Sequence, residues 1–119
     1  MRIPVLLTSL LLGLSISLAA SVSSAVESRL DRITASHTVR VCIWPDYYGI
    51  TYRNPKTMQL SGIDIDMAHE LGKDLGAKPE FVDSSFAKLI DDLATDQCDI
   101  AMFGVGMTPA RQEKLRFSP

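Results

Sequence analysis

Short apolar runs alternate with amphipathic helical patterns along this sequence, and that alternation restricts the possible folds more than any other feature. The runs predict strands at Val39–Trp44, Glu80–Val82 and Asp99–Phe103. Apolar residues at spacings of three and four predict two helices between them: Ile65, Ala68, Leu71 and Leu75, then Phe86, Leu89, Ile90 and Leu93. Such an order favours right-handed crossovers. We therefore predict an α/β fold with a parallel sheet of order 2-1-3, flanked by helices.

The segments around this pattern predict smaller elements. Glu27–Ser36 is typical of a short helix with Leu30 and Ile33 on one face. The tyrosine-rich connection after the first strand predicts a turn and a small hairpin around Tyr52. Gly76 is predicted to end the first crossover helix in the left-handed conformation. Asp83, Ser84 or Ser85 is predicted to cap the second one.

Residues 1–25 are typical of a secretory signal peptide. Arg2 precedes an uncharged stretch of mostly Leu, Ile, Val, Ser and Thr, and Ser23-Ser24-Ala25 offers small residues for cleavage. A permanent membrane anchor is the alternative. We predict an exported chain whose residues 26–119 form one domain. A net charge of -2 with 22% charged residues argues against a disordered tail and against nucleic-acid binding.

The two cysteines are predicted to be free, partly buried thiols. Export permits a disulfide, but Cys42 lies within the first strand and Cys98 just before the third. In neighbouring parallel strands they would be offset by about three residues, or ~10 Å, whereas a disulfide needs Cα atoms within about 7 Å. His37 and His69 show no metal-ligand spacing with either cysteine. No metal or cofactor site is predicted.

A candidate ligand site follows from the predicted strand order. Ligands of open parallel sheets bind beyond the carboxyl ends of the strands, where the strand order reverses. There the loop after the first strand meets the glycine-rich loop and the helix start at Thr108 and Pro109. We predict that this corner binds a small carboxylate or zwitterion, with free backbone N–H groups and a guanidinium. The candidate residues are Tyr47, Phe86, Phe103, Gly104, Gly106 and Arg111.

Each candidate has an ordinary structural alternative. The aromatic residues also suit core or loop packing, the glycines suit turns, and Arg111 suits a solvated helix face. Trp44 is better explained as core or rim than as a ligand contact. Asp64 and Asp66 are better explained by the start of a helix than by acid–base catalysis. The sequence shows no Ser-His-Asp or Cys-His set, and no catalytic residue is predicted.

Three stretches resemble the bacterial extracellular solute-binding proteins of family 3, the periplasmic amino-acid-binding type. They are VRVCIWPDYYGITYRNPKT, SGIDIDMAHELGKDLG and FVDSSFAKLIDDLATDQCDIAMFGVGMTPARQEKLRFSP. The resemblance implies a lobe of the periplasmic-binding-protein type, in which Arg111 grips the ligand α-carboxylate and the other five candidates line the ligand. Gly104 and Gly106 stand where serine is common in the family. Tyr48-Gly49-Ile50 replaces a frequent Pro-Pro-Phe.

The resemblance also implies a function. We expect an N-terminal lobe (residues 26–119) that stops at the hinge, with the second lobe and its acidic partner for the ligand amino group missing. Weak binding by this chain alone is then expected. The full protein is expected to be a monomeric periplasmic receptor that delivers a polar amino acid or related carboxylate to a membrane ABC permease. A periplasmic cyclohexadienyl dehydratase, or a sensing lobe of a lytic transglycosylase or sensor kinase, is the alternative.

Overall fold

A computed structural model describes residues 27–119, so the predicted signal peptide lies outside the described residues. The helices are α1 (Arg29–Ser36), α2 (Ile63–Leu75), α3 (Leu89–Ala94) and α4 (Pro109–Gln112). The strands are β1 (Thr38–Ile43), β2 (Asp46–Tyr47), β3 (Thr51–Arg53), β4 (Leu60–Ser61), β5 (Lys78–Asp83) and β6 (Ile100–Ala101). In this part of the chain, every helix is too short or too polar to cross a bilayer.

The main sheet has the order β5-β1-β6, and all its pairings are parallel. This confirms the predicted α/β fold and the order 2-1-3. Strand β1 pairs with β5 along its whole length, from Thr38 opposite Lys78 to Ile43 opposite Asp83. Its pairing with β6 is limited to Val41 with Ile100 and Cys42 with Ala101. The central strand is therefore buried on both faces, as expected when helices cover both sides of a parallel sheet.

Helix α2 follows its predicted pattern. Ile65 and Ala68 are buried against β1, and Gly76 ends the helix at a φ of 62°. Helix α3 is shorter than its apolar stripe predicts, because Phe86–Lys88 form a turn and the helix begins only at Leu89. The prediction that Asp83, Ser84 or Ser85 caps this helix was wrong, because its N-cap is Lys88. The Ser85 hydroxyl instead accepts the Lys88 N–H at 3.2 Å, in the turn before the helix.

Helix α1 confirms one of its two predicted core residues. A capping box between Ser28 and Asp31 starts the helix. Ile33 is buried, whereas Leu30 is 56% exposed, so only Ile33 joins the core.

The predicted hairpin around Tyr52 is present as a small antiparallel sheet of order β2-β3-β4. Thr51 is fully buried there, and its hydroxyl donates to the Trp44 carbonyl at 2.7 Å. The first turn of α2 holds this sheet from outside. The N–H groups of Ile63 and Asp64 donate to the carbonyls of Gly49 and Ile50, at 3.0 and 3.1 Å.

The prediction of free thiols was wrong, because Cys42 and Cys98 form a disulfide with a Cα–Cα distance of 5.6 Å. The prediction assumed an extended chain before β6. Instead, Asp96 adopts a φ of 62° and Gln97–Asp99 lie in a bend, so Cys98 folds back toward β1. The Asp99 N–H then donates to the Arg40 carbonyl at 2.8 Å. The bridge lies in a fully buried cluster with Leu89 and Phe103.

A buried carboxylate joins α1, β1 and the bend before β6. The Asp99 side chain is 1% exposed and pairs with both Arg32 and Arg40. It also accepts the backbone N–H of Arg40 at 2.8 Å. Burial raises the pKa of Asp99, but hydrogen bonds from the two guanidinium groups and this N–H outweigh it. The pKa of Asp99 therefore lies below its ordinary value of 3.8.

Candidate ligand-binding site

The six candidate residues come together beyond the carboxyl ends of β1 and β6, the edge where strand order predicts a site. The short strand β2 brings Tyr47, the turn before α3 brings Phe86, and the segment after β6 brings the other four. Direct contacts link the aromatic residues, the glycine loop and Arg111. Their proximity is thus a property of the fold, while their role in binding stays a prediction.

Four aromatic side chains form one cluster at this edge, with ring centroids 5.0 to 6.0 Å apart in the contacting pairs. Phe103 is fully buried at its base, whereas Phe86 is 36% exposed. The fourth member is Trp44, which contacts both Tyr47 and Phe86. The tilted and edge-on geometries are the ones that aromatic pairs prefer. The cluster thus presents an apolar wall beside the glycine loop.

Arg111 lies over the exposed side of this wall. Its Cζ atom is 5.5 Å from the centroid of the Phe86 ring, within the range of a cation–π contact. Its Nη1 atom donates to the Gly106 carbonyl at 3.0 Å. Among residues 27–119, no carboxylate forms an ion pair with Arg111. A half-buried guanidinium is thus held at two points and keeps N–H groups for a ligand carboxylate.

The glycine loop is fixed at Gly104. This residue has a φ of 65°, in the left-handed region that favours glycine. A Cβ atom built on it would lie 3.5 Å from Tyr47 Cε1, so the tyrosine ring packs directly against the backbone. The Gly104 N–H donates to Asp64 Oδ2 at 2.8 Å. This donor, which the sequence suggested for a ligand, is therefore bonded to the protein.

The next N–H groups of the loop are free within the described part of the chain. Those of Val105, Gly106 and Met107 have no hydrogen-bond acceptor there. Helix α4 begins as predicted, with the Thr108 side chain accepting the Arg111 N–H at 3.3 Å. It has only four residues, so its dipole adds little to anion binding. Anion binding here would depend on loop N–H groups and the Arg111 side chain.

Sequence reasoning missed two residues of this corner. Trp44 was interpreted as core or rim, because the sequence does not show which side chains an aromatic residue at a strand end will contact. Asp64 seemed better explained by its place in the first turn of α2. Its partner Gly104 lies 40 residues away, and no local pattern signals such a pairing.

A cavity of about 630 Å³ adjoins this corner. It lies between α3, β6 and the chain after α4, with Leu89, Leu93, Leu115 and Phe117 in its mainly apolar lining. Phe103 and Gly104 form part of its lining, whereas Arg111, Tyr47 and Phe86 lie outside it. Residues 27–119 also contain no cluster of three or more His, Cys, Asp or Glu side chains that could hold a metal ion. The aromatic and glycine corner is therefore the candidate for a small polar ligand.

Residues 39–119 match the family described as bacterial extracellular solute-binding proteins, family 3. The chain belongs to this family. Its three-layer α/β lobe is the fold of periplasmic binding proteins, and Tyr47, Phe86, Phe103, Gly104, Gly106 and Arg111 all lie within the matched residues.

Two curated relatives of this solute-binding chain differ in what their names say they do. The cyclohexadienyl dehydratase of Pseudomonas aeruginosa is 42% identical over 101 residues, which cover 85% of this chain and 37% of that protein. The histidine-binding periplasmic protein of Salmonella typhimurium is 30% identical over 107 residues, which cover 90% of this chain and 40% of that protein. The family thus includes periplasmic amino-acid-binding proteins and a named enzyme.

One similar solved structure is a single domain. It is the arginine-bound form of domain 1 of the ArgBP of T. maritima, with a TM-score of 0.65 and 25% identity. The match covers 71% of this chain and 64% of that one. The solute-binding chain spans about 40% of the length of the curated relatives that it matches.

Proposed function

We propose that this chain is the ligand-binding lobe of a periplasmic receptor that takes up a polar amino acid, and that Arg111 anchors the ligand α-carboxylate. One observation carries the proposal. Three separate segments bring together a cation, an aromatic wall and backbone N–H groups that have no acceptor among residues 27–119, at the carboxyl ends of β1 and β6. These three kinds of contact suit the carboxylate and the carbon side chain of an amino acid.

The described structure and the relatives support a periplasmic location. The Cys42–Cys98 disulfide is of a kind that persists in oxidising compartments such as the periplasm. A relative with 30% identity is named a periplasmic binding protein. We propose that residues 1–25 are the cleaved signal peptide and that the receptor is a monomer that delivers its ligand to a membrane ABC permease.

Arginine is the first probe to test, because it is bound in the domain 1 structure that this chain resembles. Trp44 is the only tryptophan of the chain, and it contacts Tyr47 and Phe86. Its fluorescence should therefore report a ligand that enters the aromatic corner. Binding by the chain alone is expected to be weak, because the proposed anchor holds only the carboxylate end of the ligand.

Replacing Arg111 tests the anchor. Arg111→Ala should cost about 2 kcal/mol of arginine binding, or roughly 30-fold in Kd, through loss of a charged hydrogen-bond donor. Arg116→Ala is the matched control, since Arg116 is an exposed arginine of the same segment. Titration of Trp44 fluorescence with arginine gives both values. Equal affinities of wild type and Arg111→Ala would refute the assignment.

A ligand analogue shows which end of the ligand Arg111 holds. Arginine methyl ester lacks the carboxylate but keeps the amino group and side chain. If Arg111 binds the carboxylate, the ester should bind the wild type more weakly than arginine does, and Arg111→Ala should no longer distinguish the two ligands. An ester that loses the same affinity in both proteins would place Arg111 elsewhere on the ligand.

A dehydratase is the second candidate function, and the 42% identity with the cyclohexadienyl dehydratase of P. aeruginosa favours it. The same corner would then hold a carboxylate of prephenate or arogenate. The receptor proposal expects arginine or histidine to bind and prephenate to be recovered unchanged. Appearance of phenylpyruvate from prephenate, lost in Arg111→Ala, would favour the enzyme.

A further inference from the structure

Asp64 makes a contact that its position in a helix does not require. A carboxylate in the first turn of a helix is stabilised by the helix dipole even when it faces water. Asp66, two residues on, is exposed and has no side-chain hydrogen bond within residues 27–119. Asp64 is instead half-buried, and its Oδ2 accepts the Gly104 N–H at 2.8 Å. Of these two carboxylates, only that of Asp64 is hydrogen-bonded to the glycine loop within residues 27–119.

The same turn of α2 also holds the other side of the site. The backbone N–H groups of Ile63 and Asp64 donate to Gly49 and Ile50, in the turn between β2 and β3. That turn directly follows Tyr47, whose ring packs against Gly104. One helical turn therefore fixes the backbone that carries the aromatic wall and the backbone that leads to Arg111.

The bond at Gly104 determines which donors the loop can offer. It occupies the Gly104 N–H, whereas the N–H groups of Val105 and Gly106 have no acceptor in the described region. A peptide bonded on one side by a carboxylate and packed on the other by Tyr47 cannot easily rotate. The free donors after it are therefore held in one orientation relative to Arg111.

We propose that Asp64 is a positioning residue for ligand binding: its bond to Gly104 holds the glycine loop so that the next N–H groups and Arg111 act together on the ligand carboxylate. The inference rests on the proposed function. It also states that the Gly104 N–H stays on Asp64 when the ligand is bound.

Amide NMR of the ¹⁵N-labelled full chain tests this inference and suits weak binding. On titration with arginine, the amide resonances of Val105 and Gly106 should move, and that of Gly104 should move least within the loop. If the Gly104 amide moves most, the ligand displaces Asp64 and the inference is overturned. If neither arginine nor histidine moves any amide, the proposed function fails, and the positioning role fails with it.

Variants separate positioning from stability. Asp64→Ala should shift the Gly104 amide upfield and weaken arginine binding about tenfold, the change that corresponds to losing one hydrogen bond. Asp64→Asn keeps an acceptor and should restore most of the affinity, whereas Asp66→Ala should change neither quantity. Wild-type affinity in Asp64→Ala would overturn the proposal. So would a loss of affinity that Asp64→Asn does not restore, or one that follows only the folded fraction measured by urea unfolding.

Discussion

At the scale of single residues, Gly104 is subject to the strictest conditions in the site. Its backbone is left-handed, its N–H is bonded to Asp64, and the Tyr47 ring covers the place of a side chain. Gly106 differs in each respect. It has no positive φ, and a Cβ atom there would lie 3.9 Å from Arg111 Nη1, an ordinary contact. The two glycines therefore serve different purposes in one loop.

Alanine substitutions should reveal this difference. Gly104→Ala should lower the free energy of unfolding by about 1–2 kcal/mol, because an L-residue is strained in the left-handed conformation. Gly106→Ala, the matched control, should change it little. Urea unfolding followed by Trp44 fluorescence measures both. Equal stability of the two variants would mean that the left-handed backbone at position 104 does not require glycine.

The sequence predicted that the six candidate residues come together, because each lies at the end of a predicted strand, in the loop after one, or at the start of the next helix. Gly104 and Gly106 interrupt an apolar run, and Arg111 follows a helix cap. Given the strand order, these ends had to meet. The bond between Asp64 and Gly104 could not be predicted, since it depends on how far α2 reaches across the sheet. A single contact between residues far apart in the chain produces no repeating pattern in the sequence.

At the scale of elements, the junction between β4 and α2 determines where the small sheet lies. Gly62 has a φ of 130°, and a Cβ atom built on it would lie 2.2 Å from the Ile50 carbonyl oxygen. No side chain fits in that space. The close approach is what allows Ile63 and Asp64 to donate to Gly49 and Ile50.

Gly62→Ala should therefore separate α2 from the small sheet. We expect a loss of about 3 kcal/mol in unfolding free energy, from steric overlap with backbone that cannot move freely. Gly76→Ala is a suitable comparison, because Gly76 also has a positive φ but open space around it. That variant should lose only about 1 kcal/mol. Urea unfolding of both chains gives the result, and equal losses would contradict the steric account.

The Asp99 cluster gives the fold a dependence on pH. Asp99→Asn should cost about 3 kcal/mol at neutral pH, because it leaves Arg32 and Arg40 without their buried carboxylate. The pKa of Asp99 is lowered by folding, so its contribution is present above the ordinary value of 3.8 and is lost as the pH falls through the folded-state pKa. The difference in unfolding free energy between wild type and Asp99→Asn should therefore shrink as the pH falls.

Urea unfolding at a series of pH values from neutral to acidic checks this expectation. Asp91→Asn, a change at an exposed aspartate of α3, should track the wild type throughout. A stability gap between wild type and Asp99→Asn that persists in acid would show that the lost contribution is not electrostatic.

At the scale of the whole molecule, the disulfide ties β1 to the chain before β6 across 56 residues of sequence. Closing a loop of this length restricts the unfolded chain and is worth roughly 4 kcal/mol. A Cys42→Ala/Cys98→Ala chain should therefore unfold at a clearly lower urea concentration than the oxidised wild type. Thiol titration in denaturant should detect no free cysteine before reduction and both afterwards. Free thiols in the unreduced protein would restore the prediction from sequence.

Most of the fold could be predicted from the sequence, but the Cys42–Cys98 disulfide could not. Periodicity gave the strands, the crossover helices and their parallel order, because these depend on which faces are apolar. The cysteine pairing depends on the bend at Asp96–Asp99, where the chain leaves the extended path that the strand pattern suggested. A bend of this kind has no regular spacing of apolar residues from which it could be predicted.

The central position of β1 has a consequence for the order in which the chain is made. Synthesis produces this apolar strand first, while its two neighbours begin only at Lys78 and Ile100. A chain that has not yet reached Lys78 therefore has no strand of this sheet to pair with either edge of β1, and pairings between distant segments form slowly. The strand order that brings the candidate residues together also postpones completion of the sheet until Ile100 and Ala101 have been made.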